Sequence, residues 1–183
     1  MKKIMIAFAA IALACVANAA SVGWSAAGLS AYAGDAYKFF VIGQNGVSDI
    51  STITALLDEG TSVDSYAFGS GTVAANGNAA VAFGSSGKTL DAGTYTSFMV
   101  LFDSAAPTVG DNYLLIANGA NQTKSFTSTA ASVTFVAGNV SSLANDSANW
   151  KSFGSAGPVV PEPTSGLLLL LGMAGLALKR KVA

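Results

Sequence analysis

Turn-forming residues recur about every 8 to 12 positions through the middle of this chain, and that spacing constrains its fold more than any other feature. Asn45-Gly46, Asn76-Gly77-Asn78, Ser86-Gly87 and Asn118-Gly119 are the clearest breaks. Asn and Gly suit tight turns because both tolerate positive φ. The stretches between them are too short for most helices and carry β-branched and aromatic residues, which fit a pleated surface. They predict strands at residues 36–44, 63–68, 71–75, 79–83, 88–90, 94–102, 113–117, 122–126 and 132–137. Residues 94–102, with Tyr95, Phe98, Val100 and Phe102, are the strongest of these, and their near-continuous apolar end predicts a central place in a sheet. Residues 113–117 and 122–126 flank Asn118-Gly119 and predict a hairpin. The expected class is mainly β, an antiparallel β-sandwich or a jelly-roll-like domain.

One segment departs from this pattern. In residues 49–60, Ile50, Ile53, Leu56 and Leu57 recur at helical spacing. Ser48 or Asp49 can cap the start, and Gly60 can close the end. This predicts one short amphipathic helix laid over a sheet. Trp24 and Trp150 stand near opposite ends of the domain. They are expected to cover an end of the core, with the first and last strands close together. Residues 139–157 are small and polar and read as loop.

The two ends of the chain carry a different kind of information. Lys2 and Lys3 precede an apolar run at residues 4–16, and Ala17-Asn18-Ala19 follows. A basic start, a short apolar stretch and small residues at −3 and −1 make a signal-peptide pattern, with cleavage expected between Ala19 and Ala20. The run is short for a permanent span. Cys15 lies inside it and is the only cysteine. Ala12 stands where a lipoprotein signal needs a large aliphatic residue, so Cys15 reads as apolar filler. The mature chain then has no thiol for a disulfide, a nucleophile or a metal.

At the other end, Pro161, Glu162 and Pro163 precede an apolar segment of 13 residues. It runs Gly166, Leu167, Leu168, Leu169, Leu170, Leu171, Gly172, Met173, Ala174, Gly175, Leu176, Ala177 and Leu178. A basic stop of Lys179, Arg180 and Lys181 follows. A bilayer core needs about 20 helical residues, so the segment is a short transmembrane helix that Lys179 and Arg180 help by snorkelling. Basic residues favour the cytoplasmic side. With a cleaved signal in front, the domain is expected outside and the last residues inside. Each proline fixes its own φ and extends the residue before it, so Pro161-Glu162-Pro163 makes a stiff stalk that a reader can bind at low ordering cost.

The Pro-Glu-Pro tripeptide, the short leucine-rich span and the basic end resemble a PEP-CTERM sorting signal. The resemblance is confined to the last 23 residues or so. It implies processing by exosortase, a membrane-embedded cysteine transpeptidase of Gram-negative bacteria. It also implies a cell surface or matrix destination in organisms that make exopolysaccharide. The domain plan is then a signal peptide at 1–19, an exported domain at 20–157 and the sorting signal at 158–183. Expected partners are signal peptidase, the Sec machinery, exosortase and, transiently, the inner membrane.

Composition narrows what the exported domain does. The whole chain has a net charge of −1, but residues 20–160 hold nine carboxylates and four lysines, a balance of −5. That balance gives no basic stripe for nucleic acid. The chain has no histidine, which removes Ser-His-Asp and Cys-His chemistry and the commonest metal ligand. Asp58-Glu59 diverge at a helix end and read as solvated surface rather than a glycosidase pair. Asp103 and Asp111 flank a loop without the acidic spacing of a calcium site and read as turn residues. No metal, cofactor or catalytic residue is expected. Tyr37, Tyr66, Tyr95 and Tyr113 sit in predicted strands and read as packing residues before a sugar platform. The leading expectation is a non-enzymatic surface or matrix structural protein. The alternatives are a carbohydrate-binding module for exopolysaccharide on the same scaffold and, third, a hydrolase with an all-carboxylate site.

Overall fold

A computed structural model describes residues 20–82, 88–117, 122–127 and 132–155. In chain order the strands are β1 (Ala20–Ala27), β2 (Ala36–Val41), β3 (Gly69–Thr72), β4 (Ala79–Val81), β5 (Thr89–Leu90), β6 (Gly93–Phe102), β7 (Asn112–Ile116), β8 (Thr123–Phe126), β9 (Ser132–Asn139) and β10 (Trp150–Ser152). The helices are α1 (Ile50–Asp58) and α2 (Ser141–Ala144).

The organising strand is β6, whose residues Ser97 to Phe102 are all buried. It lies centrally in a six-stranded sheet ordered β10-β7-β6-β2-β3, with β8 also paired to β6. Side chains of a strand alternate between faces, so a strand buried along its whole length needs cover on both. Met99 and Leu101 join Tyr37, Phe39 and Val41 of β2 and Leu114 and Ile116 of β7 in one core. Phe98, Val100 and Phe102 join Phe40 and Tyr113 in a second core on the opposite face. Phe40 and Phe98 stack across the strand pair at 5.1 Å.

The first core is shared with a four-stranded sheet of β4, β1, β5 and β9. Its β1 supplies Val22, Trp24 and Ala26, and β9 supplies Val133 and Phe135. The second core is closed by α1 through Ile53 and Leu57, with Val47, Val63 and Phe153 around them. The expected helix over a sheet is therefore present. Asp49 caps it by accepting from Thr52 N–H at 3.0 Å, and the Thr52 hydroxyl accepts from Asp49 N–H. Gly60, at φ +73°, ends it.

Several expectations need correction. The pairings of the larger sheet are antiparallel, but β1 and β9 run parallel, which an all-antiparallel sandwich or jelly roll does not provide for. In the smaller sheet β4 and β5 share one side of β1 and β9 takes the other, since β9 overlaps both in register. Strands β7 and β8 do not form a hairpin. Both pair with β6, at residues 99–102 and 93–96. Ser97 N–H bonds the Gln122 carbonyl while the Thr96 carbonyl accepts from Ile42, so β8 continues β7 along the side of β6 away from β2. Residues 63–68 are not a strand either. Asp64–Tyr66 form a 3-10 turn, because the chain here passes from one core to the other, with Val63 and Ala67 in the second and Phe68 in the first. Within 139–157 the described residues, to 155, hold α2 and β10 as well as loop. Strand β1 pairs with β9 and not with the last strand, and the two tryptophans lie apart, Trp24 deep between the sheets and Trp150 at the edge of the larger one. The predicted signal helix and transmembrane helix lie outside the described residues, and no described helix is long and apolar enough to cross a membrane.

One hydroxyl ties the two sheets together. Tyr37 of β2 donates to the Ala80 carbonyl at 2.7 Å and accepts from Ala80 N–H at 3.0 Å, doing for β4 what a neighbouring strand would do. Glycines in β3 make room for this contact. A Cβ on Gly71 would lie 2.6 Å from the Tyr37 oxygen, and one on Gly69 would lie 2.9 Å from a Val81 methyl. Loss of the hydroxyl leaves a peptide donor and acceptor without partners, which costs about 1–3 kcal/mol. Tyr37→Phe should therefore lower the urea midpoint without changing the slope, and an unchanged midpoint would show that the clasp contributes nothing.

Candidate functional site

At the rim of the first core, beyond the cover of the smaller sheet, three separate parts of the chain meet around an open cleft. Tyr32 comes from the turn before β2, Asp103 and Asn112 from the ends of β6 and β7, and Ala144 through Trp150 from the segment after β9. The cleft has a volume of about 350 Å³. Its aromatic pair is held rigidly. The Tyr32 hydroxyl and the Trp150 indole N–H both donate to the Ala144 carbonyl, at 2.7 and 2.8 Å. The rings lie 5.0 Å apart, tilted by 32°. Both are half-buried, so part of each ring faces the cleft.

The rest of the lining is largely polar. Asp103 accepts from Asn112 N–H and from its side-chain amide, each at 2.7 Å. These bonds hold the carboxylate at the strand end, where both of its oxygens retain accepting capacity. Asn145 and Ser147 complete the lining. Behind Asp103 stands Asp35, fixed through its backbone to Tyr32 and Val73. Burial, and secondarily the Asp103 charge, raise the Asp35 carboxyl above its ordinary value.

The other expected acidic sites are structural. Asp111 accepts from the N–H and hydroxyl of Thr108, which closes the loop between β6 and β7. Asp103 and Asp111 are thus turn residues, as their sequence context implied. Asp58 is more than solvated surface: the Tyr113 hydroxyl donates to it at 2.7 Å, pinning the end of α1 to the sheet. Burial, and secondarily that bond, push the Tyr113 hydroxyl well above the ordinary phenol range. Asp64 is held below the usual carboxylate range by the Lys38 ammonium and by the Ser62 hydroxyl. The four tyrosines weighed as a sugar platform share no surface. Tyr37 is in the first core, Tyr113 in the second, Tyr66 packs beside the second and Tyr95 stacks on Phe126. The described residues contain no cluster of three metal-ligating acidic, histidine or cysteine side chains.

The remaining sequence-predicted site lies at the ends of the chain. Ala20 opens β1 and is buried, while Ala17 and Ala19 lie outside the described residues. So do Pro161, Glu162, Pro163, the apolar segment and the basic stop. The chain leads towards them from β10. Phe153 packs edge-on against Phe102 in the second core, and Gly154 N–H bonds the Leu57 carbonyl at 2.8 Å.

Residues 159–181 match the PEP-CTERM protein-sorting motif. The match covers the tail alone and coincides with the segment expected from Pro161-Glu162-Pro163, the leucine run and the basic end. The PEP-CTERM motif implies export, membrane-associated processing by exosortase and an eventual extracellular location. No curated protein and no solved structure matches the chain.

Asp35 offers a direct reading of the cleft's electrostatics. In the folded chain its pKa lies above the ordinary value of 3.8, so ionisation opposes folding at neutral pH and the penalty vanishes once the unfolded chain is also protonated. Asp35→Asn is expected to raise the melting temperature at pH 7. The gain should fade as the pH falls to about 3.8 and below. A gain that persists in acid would assign the effect to packing instead.

Proposed function

We propose that this chain is a non-enzymatic structural protein of the cell surface or extracellular matrix, a β-sandwich delivered by its PEP-CTERM tail. The observation that carries this is the match at residues 159–181. A signal peptide ending at Ala19 brings the domain across the inner membrane, and the short apolar segment holds it there with the domain outside. Exosortase then binds Pro161-Glu162-Pro163 and cuts nearby. A 13-residue apolar segment is a weak permanent anchor, which suits a hold that ends in processing. The absence of histidine and the confinement of the sole cysteine to residue 15 support a role without catalysis.

A second reading, a carbohydrate-binding module on the same scaffold, is favoured by one observation, the cleft of Tyr32 and Trp150 beside Asp103 and Asn112. A hydrolase has less support, because the acidic residues with resolved partners serve turns, caps and docking contacts.

Replacing Pro161-Glu162-Pro163 by three alanines tests the sorting reading. Intact mass of the wild-type product should show both ends trimmed. The variant should accumulate in the membrane fraction with its tail uncut, with processed product reduced at least tenfold. A variant trimmed at the same place and to the same extent as wild type would refute recognition through this tripeptide.

A further inference from the structure

We propose that the cleft lined by the packed rings of Tyr32 and Trp150 is a binding subsite for a neutral, hydroxyl-rich sugar ring of a polysaccharide. The proposal rests on the second reading above and names its site and ligand class. Four clefts can be compared among the described residues. One, beside Ser25, Ala79 and Val136, is lined by small side chains with little to orient a ligand. One beside Lys88 and Asp64 has Phe68 in its wall, but that ring is buried and lies under the Lys88 ammonium. One beside Asn139 and Asn149 has no aromatic residue. Only the Tyr32–Trp150 cleft joins two aromatic rings to a carboxylate and primary amides.

The chemistry of a pyranose fits these groups. Its ring has patches of C–H bonds and a periphery of hydroxyls, so it needs an apolar face on one side and paired acceptors and donors on the other. The Trp150 N–H is already taken by the Ala144 carbonyl, so the indole offers the cleft an aromatic surface and not a donor. The Tyr32 hydroxyl is turned to the same carbonyl. Because both rings are fixed before any ligand arrives, little side-chain freedom remains to be lost on binding. Asp103 is a pure acceptor, suited to two hydroxyls, and Asn112 holds it in place. Asn145 and Ser147, both exposed, supply further donors and acceptors. A volume of about 350 Å³ sits at the small end of ligand pockets, room for a single ring of a longer chain.

Charge selects the class. Among the described residues no lysine or arginine lines the cleft, while Asp103 lines it and its charge reaches Asp35. A uronate, sulfate or phosphate group would meet carboxylates with no compensating cation, and the domain's balance of −5 repels polyanions from a distance.

The two tryptophans give a direct readout. Trp24 is 1% exposed, so the emission that acrylamide can quench belongs to Trp150. The full chain, in a detergent without a sugar headgroup, is titrated with neutral glucan and galactomannan fragments and, separately, with polygalacturonate. The neutral fragments should lower the quenching constant at least twofold and retard the chain on affinity electrophoresis. Polygalacturonate should do neither. Asn145→Arg places a bulky side chain at the rim from an exposed position and should weaken binding at least tenfold while leaving thermal unfolding unchanged. Asp103→Asn should weaken it as well. Binding to polygalacturonate alone would overturn the ligand class. Protection by no neutral fragment, or equal binding by wild type and both variants, would overturn the site. Neither result bears on the tail, whose processing is read by mass.

Discussion

A sheet that is apolar on both faces cannot be left half-covered, and this requirement organises the molecule. From Ser97 to Phe102 every residue of β6 is buried. Side chains at odd and even positions then demand separate cores. One is supplied by a second sheet and the other by a single helix. Neither layer is strong alone. The helix has nine residues, shorter than an isolated helix needs for stability in water, so it depends on docking Ile53 and Leu57 and on the Asp58–Tyr113 bond. The smaller sheet is built on β1, whose alanines, serines and glycine bury little by themselves. Both covers are held by what β6 and its neighbours offer them.

What was legible in the sequence follows from that hierarchy. The run ending at Phe102 and the helix after Asp49 stand out because their apolar residues are large and correctly spaced within a few positions. Strand β1 was missed for the opposite reason. Ala20 through Ala27 is one tryptophan and one valine among small residues, and its strand state comes from β4, β5 and β9, which lie far away in sequence. Residues 63–68 have strand-like composition, but Asp64 stands near their start and is claimed by Ser62 and Lys38. The β7 and β8 segments flank a good turn dipeptide, yet β6 is long enough to pair with both end to end. Local chemistry predicted the turns at Asn45-Gly46 and Asn76-Gly77, while Ser86-Gly87 and Asn118-Gly119 lie outside the described residues, and it could not predict which edges would meet.

The same contrast separates the sorting tail from the cleft. The sorting tail is contiguous, so its tripeptide, apolar segment and charges can be read off in a line. The cleft is assembled from residues 32, 103, 112 and 144–150, and its aromatic members are not among the four tyrosines that strand propensity singled out. Tyr32 precedes a strand and Trp150 opens a three-residue one, in a stretch whose composition reads as loop. The one available signal was the tryptophan itself, since a large ring in a polar segment must find a partner or remain open to solvent.

Strand β10 links these regions physically. Trp150 packs beside the first core and forms the aromatic wall of the cleft, whereas Phe153, three residues on, packs in the second core against Phe102. Side chains three apart on a strand face opposite sides, so this short edge strand serves both cores. Pairing of Trp150 with Leu114 and Ser152 with Asn112 fixes its register. Gly110 N–H bonds the Phe153 carbonyl and Gly154 N–H bonds Leu57, so the root of the tail is tied to the β6–β7 loop and to α1. A pull on the tail would be borne by the second core and these edge bonds before it reached the indole. The chain end is therefore held through Phe153 in the second core, separately from the Tyr32–Trp150 contact beside the first.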